Sequence, residues 1–235
     1  MPSSATESGI LNAITMGEAK PKKKKKHSPV STTENISNAV RWDDYRAMLG
    51  KCENDTEHLL LRLLWSTGGR ITEVLEVKPD SIKADDEIQM LNEKQWKIEP
   101  GEHRPREIKT IYVPLDIIEE LRAFIDAHHI TRRAFVFPGR KSGEHLSRIT
   151  AWRRVKAIAN RAEVVRDRNT ESKGHHTTEV SPHAFRHGCA VEMMEHGSTL
   201  GTIQHHLGHK NPTTTGIYAT VWDPIRRADT TKMRV

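Results

Sequence analysis

Past its N-terminal segment the chain spaces its apolar side chains at helical intervals and abandons that spacing in one window, residues 87–114. There Ile88 and Met90 alternate with polar neighbours, Pro100-Gly101 marks a turn, and Ile108 to Val113 is β-branched and aromatic. A period of two, bounded by a turn signal, predicts a pair of antiparallel strands. The expected class is therefore mainly α with a small antiparallel β-sheet (α+β).

Around that window the helices are punctuated by caps and glycines. A short amphipathic helix is expected over Arg41 to Leu49. A second, capped by Asp55 with Thr56 and Glu57 behind it, runs to Thr67 with Leu59, Leu60, Leu63 and Leu64 inward. Gly68-Gly69 stops it, and Ile71 to Leu75 resumes at once, which leaves Arg70 in a sharp junction. Helical signals return at Ile117 to Ala127 and at Ser147 to Ala162, the latter capped by Ser147. Arg166 to Thr178 is polar and His-rich, a loop. Ser181-Pro182 starts a helix that reaches His196 before Gly197, and Ser198 to Leu207 forms another before Gly208. Ala190, Val191, Met194, Leu200, Ile203 and Leu207 form the core faces of these last two helices. Asn211-Pro212 opens the segment that carries Tyr218. No internal repeat is visible.

At 235 residues the chain holds one good-sized core. With 29% charged residues and no long apolar run, a transmembrane helix is excluded and no membrane partner is expected. The net charge of +6 and pI near 9.3 point to an anionic partner. Cys52 and Cys189 are too few for a disulfide framework or a zinc site, as in a reducing compartment. Residues 1–37 read as a disordered basic arm. Their run Lys22 to Lys26 is either a nuclear address or a solvated tail that adds nonspecific DNA affinity. No secretory signal is present in the arm. Residues 223–235 read as a short basic tail with Arg226, Arg227, Lys232 and Arg234, which either docks on a neighbour or frays.

Chemistry gathers late in the chain. His183 and Arg186 stand three apart near the start of one helix, where free N–H groups and the helix dipole attract anions. Guanidinium and imidazole together make that end a phosphate-binding corner. Leu207-Gly208-His209 follows, and Tyr218 comes nine positions after His209. Upstream stands Thr67-Gly68-Gly69-Arg70-Ile71-Thr72-Glu73. These boxes, in this order, resemble the tyrosine recombinase family, and the resemblance covers Val40 to Trp222.

The resemblance implies that family's catalytic-domain fold for residues 38–222 and a role for each matching residue. Tyr218 matches the nucleophile, Arg70 the first arginine, His183 and Arg186 the His-x-x-Arg pair, His209 the second histidine, and Glu73 a supporting acidic position. It also implies a lysine near the hairpin tip as general acid to the departing 5′ oxygen. Lys94, at the end of the first strand, is the first choice, with Lys97 and Lys109 as alternatives. The physical chemistry agrees. A phosphodiester attacked in line gathers negative charge on its nonbridging oxygens, and arginines stay charged at any relevant pH. Phenoxide leaves readily, so the covalent bond to tyrosine is reversible and keeps its energy for religation.

No cofactor is expected: there is no Walker-type loop and no clustered acidic metal site. The i,i+4 pairs His183/His187 and His205/His209 lack a third ligand at motif spacing, so no metal is assigned, and His187, His205 and His206 are left to packing or DNA contact. Tyr45 and Tyr112 are read as core or sheet-face residues. Arg148, Arg153, Arg154 and Lys156 make the helix from Ser147 a candidate DNA-facing element, the alternative being a solvated charged helix.

The expected activity is site-specific recombination or integration of double-stranded DNA through a 3′-phosphotyrosyl intermediate. The expected protein is a homo-oligomer, a tetramer on DNA, in the cytoplasm on the nucleoid. Two alternatives use the same residues differently: a relaxing enzyme like the type IB topoisomerases, and a non-catalytic DNA-binding accessory protein. Only the arm and the helix near Arg41 precede the catalytic region, so the family's usual N-terminal core-binding domain is not expected here.

Overall fold

Two neighbouring polar residues compete to start the long leucine-rich helix, and backbone geometry decides between them. In the computed structural model, which describes residues 39–92, 107–164 and 180–208, Asn54 is extended (φ −154°, ψ 166°) and its Oδ1 accepts the Glu57 N–H at 2.9 Å. The cap is thus Asn54 and not Asp55. Asp55 becomes the first helical residue, its carboxylate near the positive end of the helix dipole. His209, Tyr218, Lys94, Lys97, the 166–178 loop, the basic arm and the C-terminal tail lie outside the described residues, which all fall within the unit Ser31–Val235.

Helix α1 (Trp42–Leu49) precedes this helix, α2 (Asp55–Thr67). Tyr45 of α1 is buried and stacks on Trp65 of α2 at 4.5 Å with ring planes 6° apart. In α2 all of Leu59, Leu60, Leu61, Leu63 and Leu64 are buried, one more than a single apolar face requires. A helix wrapped on most sides is a central helix, and α2 packs chiefly against four other helices, each buried leucine stabilising by about 1.5–3 kcal/mol.

Three of those neighbours are α4 (Leu115–Ala127), α5 (Arg148–Arg161) and α6 (Pro182–Glu195). Pro114 takes the N-cap position of α4, so the helix begins two residues before the predicted Ile117. Ser147 caps α5 as predicted, its Oγ accepting the Thr150 N–H at 3.1 Å. Ser181 occupies the cap position of α6 without a side-chain cap bond, and Pro182 contributes the fixed φ of a first helical residue. The final described helix, α7 (Leu200–Leu207), starts after Thr199, whose Oγ1 accepts the Thr202 N–H, rather than at Ser198.

Between α2 and the sheet lies the short α3 (Ile71–Leu75). Strands β1 (Glu87–Leu91) and β2 (Ile108–Tyr112) pair antiparallel, with Ile88 opposite Ile111 and Met90 opposite Lys109. Ile88, Met90, Lys109 and Ile111 are buried; Ile108 and Tyr112 face outward. Tyr112 is thus a sheet-face residue and Tyr45 a core one. A second apolar cluster, with Cys189, Val191, Met194, Ile203 and Leu207, joins α6 to α7. The contact of α6 with the N-terminal side is close at Gly188, where a Cβ would lie 2.3 Å from the Val40 carbonyl oxygen and 2.8 Å from Trp65.

Candidate active site

The α2–α3 junction exists because Gly68 adopts φ +53°, a conformation that a Cβ would penalise and that lets the chain leave α2 sharply. Arg70 then becomes the N-cap residue of α3 and Glu73 its third residue. Glu73 Oε2 accepts the Arg70 backbone N–H at 3.0 Å, and its Oε1 accepts from the Arg70 guanidinium at 2.7 Å. A carboxylate three positions on thus holds both the backbone and the side chain of Arg70. From β2, Lys109 Nζ donates to Glu73 Oε2 at 2.6 Å.

This carboxylate is enclosed: the Glu73 side chain is 1% exposed, Lys109 8% and Arg70 18%. Burial by itself would raise the Glu73 pKa, but Lys109 and Arg70 outweigh it and hold the carboxyl below the usual range. For Lys109 burial is the leading cause and moves the ammonium downward, with Arg186 and Arg70 adding repulsion against the pull of Glu73. Two cations thus share one buried anion, with a third cation, Arg186, close enough to be felt.

Arg186, from the second turn of α6, is among the largest fully buried side chains. Its guanidinium donates to the carbonyl of Gly68 at 2.7 Å and to that of Leu207 at 2.7 Å. These are the ends of α2 and α7, where carbonyls lack helical partners and the dipole is negative. Beside them His206 Nε2 lies 3.1 Å from the Ser66 carbonyl, and burial pushes its pKa down to about 4. His183 stands at the surface of α6, edge-on to the buried His187 at 4.6 Å between ring centroids. Crowding against the protein, then Arg186 and Arg70, lower the His183 pKa; His187 falls to about 4 for the same first reason.

A cleft of about 610 Å³ opens between β2 and α7, lined by Asn92, Lys109, Gln204, His205 and Gly208 among others. Gly208, at φ +69°, ends α7, and a Cβ there would lie 3.2 Å from Lys109 Cδ. His183 is within electrostatic reach of Arg186 and Arg70, and Lys109 of Glu73, Arg186 and Arg70. Its position was legible in principle: Lys109 is in phase with Ile111 and Val113, so a period of two puts all three on the core face. Among the described residues no group of three His, Cys, Asp or Glu could hold a metal ion, and no helix is long and apolar enough to cross a membrane.

The five basic residues of α5 divide by position. Arg148 and Arg153 are exposed, whereas Arg154 and Lys156 are half-buried, with Lys156 Nζ 5.1 Å from the Trp152 ring centroid. Ile149 and Trp152, 61% and 42% exposed, lie among them. Arg161 is committed elsewhere, to Glu53, Glu57 and the Lys51 carbonyl.

This topology has known counterparts. Residues 38–223 match the phage integrase family. The chain belongs to that family of tyrosine recombinases. Among its relatives, the tyrosine recombinase XerD of Bifidobacterium longum is 32% identical over 165 residues, which cover 69% of this chain and 48% of that protein. The tyrosine recombinase XerA of Pyrococcus furiosus is 28% identical over 170 residues, or 70% of this chain and 50% of that protein. This integrase-family chain thus spans about half the length of these relatives. The fold is shared with XerH site-specific recombinase bound to its palindromic difH substrate in a post-cleavage complex, at a TM-score of 0.62 and 18% identity, covering 84% of this chain and 53% of that one.

Proposed function

We propose that residues 38–222 form the catalytic domain of a site-specific DNA recombinase or integrase that cleaves and rejoins strands through a 3′-phosphotyrosyl intermediate. The observation that carries this is the cluster of Arg70, Glu73, Lys109 and Arg186, in which Glu73 bridges Arg70 and Lys109 while Lys109 and Arg186 reach the last described residues of the chain, Gly208 and Leu207. Such a cluster stabilises the charge of a pentavalent phosphate without a metal ion. In this reading Tyr218 attacks the phosphate in line and Arg70 and Arg186 supply fixed positive charge. His183, its pKa lowered so that it is neutral near pH 7, and His209 hydrogen-bond the phosphate oxygens or take the phenol proton. Lys94 hands a proton to the departing 5′ oxygen. The freed 5′-hydroxyl of a second duplex then attacks the phosphotyrosine and releases Tyr218.

Duplex DNA is the proposed partner, met by the basic arm 1–37 and by α5, where Arg148, Arg153, Arg154 and Lys156 contact phosphates. In this reading the exposed Ile149 and Trp152 make apolar contacts with base edges. A tetramer on DNA, acting in the cytoplasm on the nucleoid with the tail 223–235 docked on a neighbour, completes the proposal. The recombinases among its relatives favour strand exchange over supercoil relaxation or passive binding.

A nicked duplex that traps the covalent intermediate tests it. The wild-type chain is expected to form a protein–DNA adduct that Tyr218→Phe does not form. Absence of the wild-type adduct, or its persistence in Tyr218→Phe, refutes the assignment.

A further inference from the structure

We infer that Lys109 is a positioning residue of this site: from the buried face of the sheet it locks Glu73, and through Glu73 the guanidinium of Arg70, while its stem packs against Gly208 at the end of α7. The inference rests on the proposed reading of the site as a phosphotyrosyl-forming centre.

Three contacts carry it. Lys109 Nζ lies 2.6 Å from Glu73 Oε2, and Glu73 Oε1 lies 2.7 Å from Arg70, so the carboxylate is a bridge between two cations from different elements. The bridge is dry enough to be stiff, because the Glu73 side chain is 1% and that of Lys109 8% exposed. Short charge-assisted bonds at low dielectric resist displacement far more than the same bonds in water. At the other end, the space where a Cβ of residue 208 would stand is 3.2 Å from Lys109 Cδ. The lysine stem and the glycine turn therefore occupy complementary volumes. A shift of Lys109 would move Arg70 on one side and loosen the packing at Gly208 on the other.

A lysine with this duty is different from a proton donor. Its ammonium is already bonded to a carboxylate on α3, and among the described residues its hydrogen bond is made with Glu73. The sequence offered Lys94, Lys97 and Lys109 for the acid. The geometry assigns Lys109 to holding the arginine and leaves proton transfer to Lys94 or Lys97.

Chemistry separates the two roles. A 5′-bridging phosphorothiolate in the scissile position leaves as a thiolate, which needs no acid, so it restores cleavage to a variant that lacks only its proton donor. Lys109→Met is expected to slow single-turnover cleavage of ordinary DNA roughly 100-fold, the size of loss a misplaced group causes, and to stay slow on the phosphorothiolate, whereas Lys94→Ala recovers. Lys109→Arg is expected to retain most of the rate. Because Lys109→Met leaves a buried carboxylate with one partner fewer, the cycle is closed with Glu73→Gln. The double variant, which removes both buried charges, is expected to be no slower than Glu73→Gln alone. Wild-type cleavage in Lys109→Met, its rescue by the phosphorothiolate, or additivity in the cycle overturns the inference. A readout free of activity is the Nε–H resonance of Arg70, assigned with Arg70→Lys. It is expected to shift in Lys109→Met even if the wild type forms no adduct, and an unchanged resonance overturns the inference independently of the proposed function.

Discussion

Arg186 joins two helix ends that no local interaction would bring together. Its fork donates to the Gly68 and Leu207 carbonyls, one at each end of the path from α2 to α7. A guanidinium can span two carbonyls in a fixed plane; an ammonium is a point donor on a flexible stem. Arg186→Lys is therefore expected to lower stability by about 1–3 kcal/mol, the cost of a buried polar group left without its partner. It is also expected to abolish adduct formation at temperatures where the variant is still folded. Urea denaturation and the trapped-adduct assay measure the two separately. The His-x-x-Arg spacing identified this arginine in the sequence, because i and i+3 share a helix face. Nothing local announced that it closes over residues 118 and 21 positions away.

At the scale of elements, α5 and β2 show how far periodicity reaches. Its sequence Arg148–Arg161 contains no acidic residue, and its exposed side carries Arg148, Ile149, Trp152 and Arg153. Removing a phosphate-contacting cation reduces the salt dependence of DNA binding by about one charge. Arg148→Ala and Arg153→Ala are each expected to flatten the slope of log affinity against log salt by about 1. Arg161→Ala, which breaks the ties to Glu53 and Glu57, is expected to leave that slope unchanged and lower the melting temperature instead. An unchanged slope in the first two variants removes α5 from the DNA interface. In β2, alternation placed Ile111 and Val113 inside, and Lys109 with them. Its partner on α3 depends on how the sheet lies against that helix.

For the whole molecule, the buried imidazoles couple folding to pH. His187 falls from 6.5 to about 4 and His206 likewise, both chiefly by burial, so each binds its proton more weakly folded than unfolded. Their contribution to stability is therefore intact above pH 6.5 and lost as pH falls toward 4. Glu73, held below its ordinary value by Lys109 and Arg70, acts in the same direction at still lower pH: its contribution is present above 4.5 and lost as pH drops through the folded value. Melting temperature is expected to decline steadily from pH 7 to pH 5, and His187→Gln, neutral throughout, to decline less. A flat profile in the wild type would contradict the burial of these rings as ionisable groups.

Helix positions, the place of the sheet, and the residues that share a helix face were all readable from spacing, since caps, glycines and periods of 3.6 or 2 act over a few residues of chain. The cap at Asn54 rather than Asp55 was the kind of detail that spacing leaves open, because both side chains suit the position and only the backbone angles separate them. Folding alone put Lys109 against Glu73 and Arg186 between Gly68 and Leu207. Those pairings depend on the packing of α2, α6, α7 and the sheet: periodicity can place a charge on a buried face, but which counter-charge from another element stands beside it has no sequence signature.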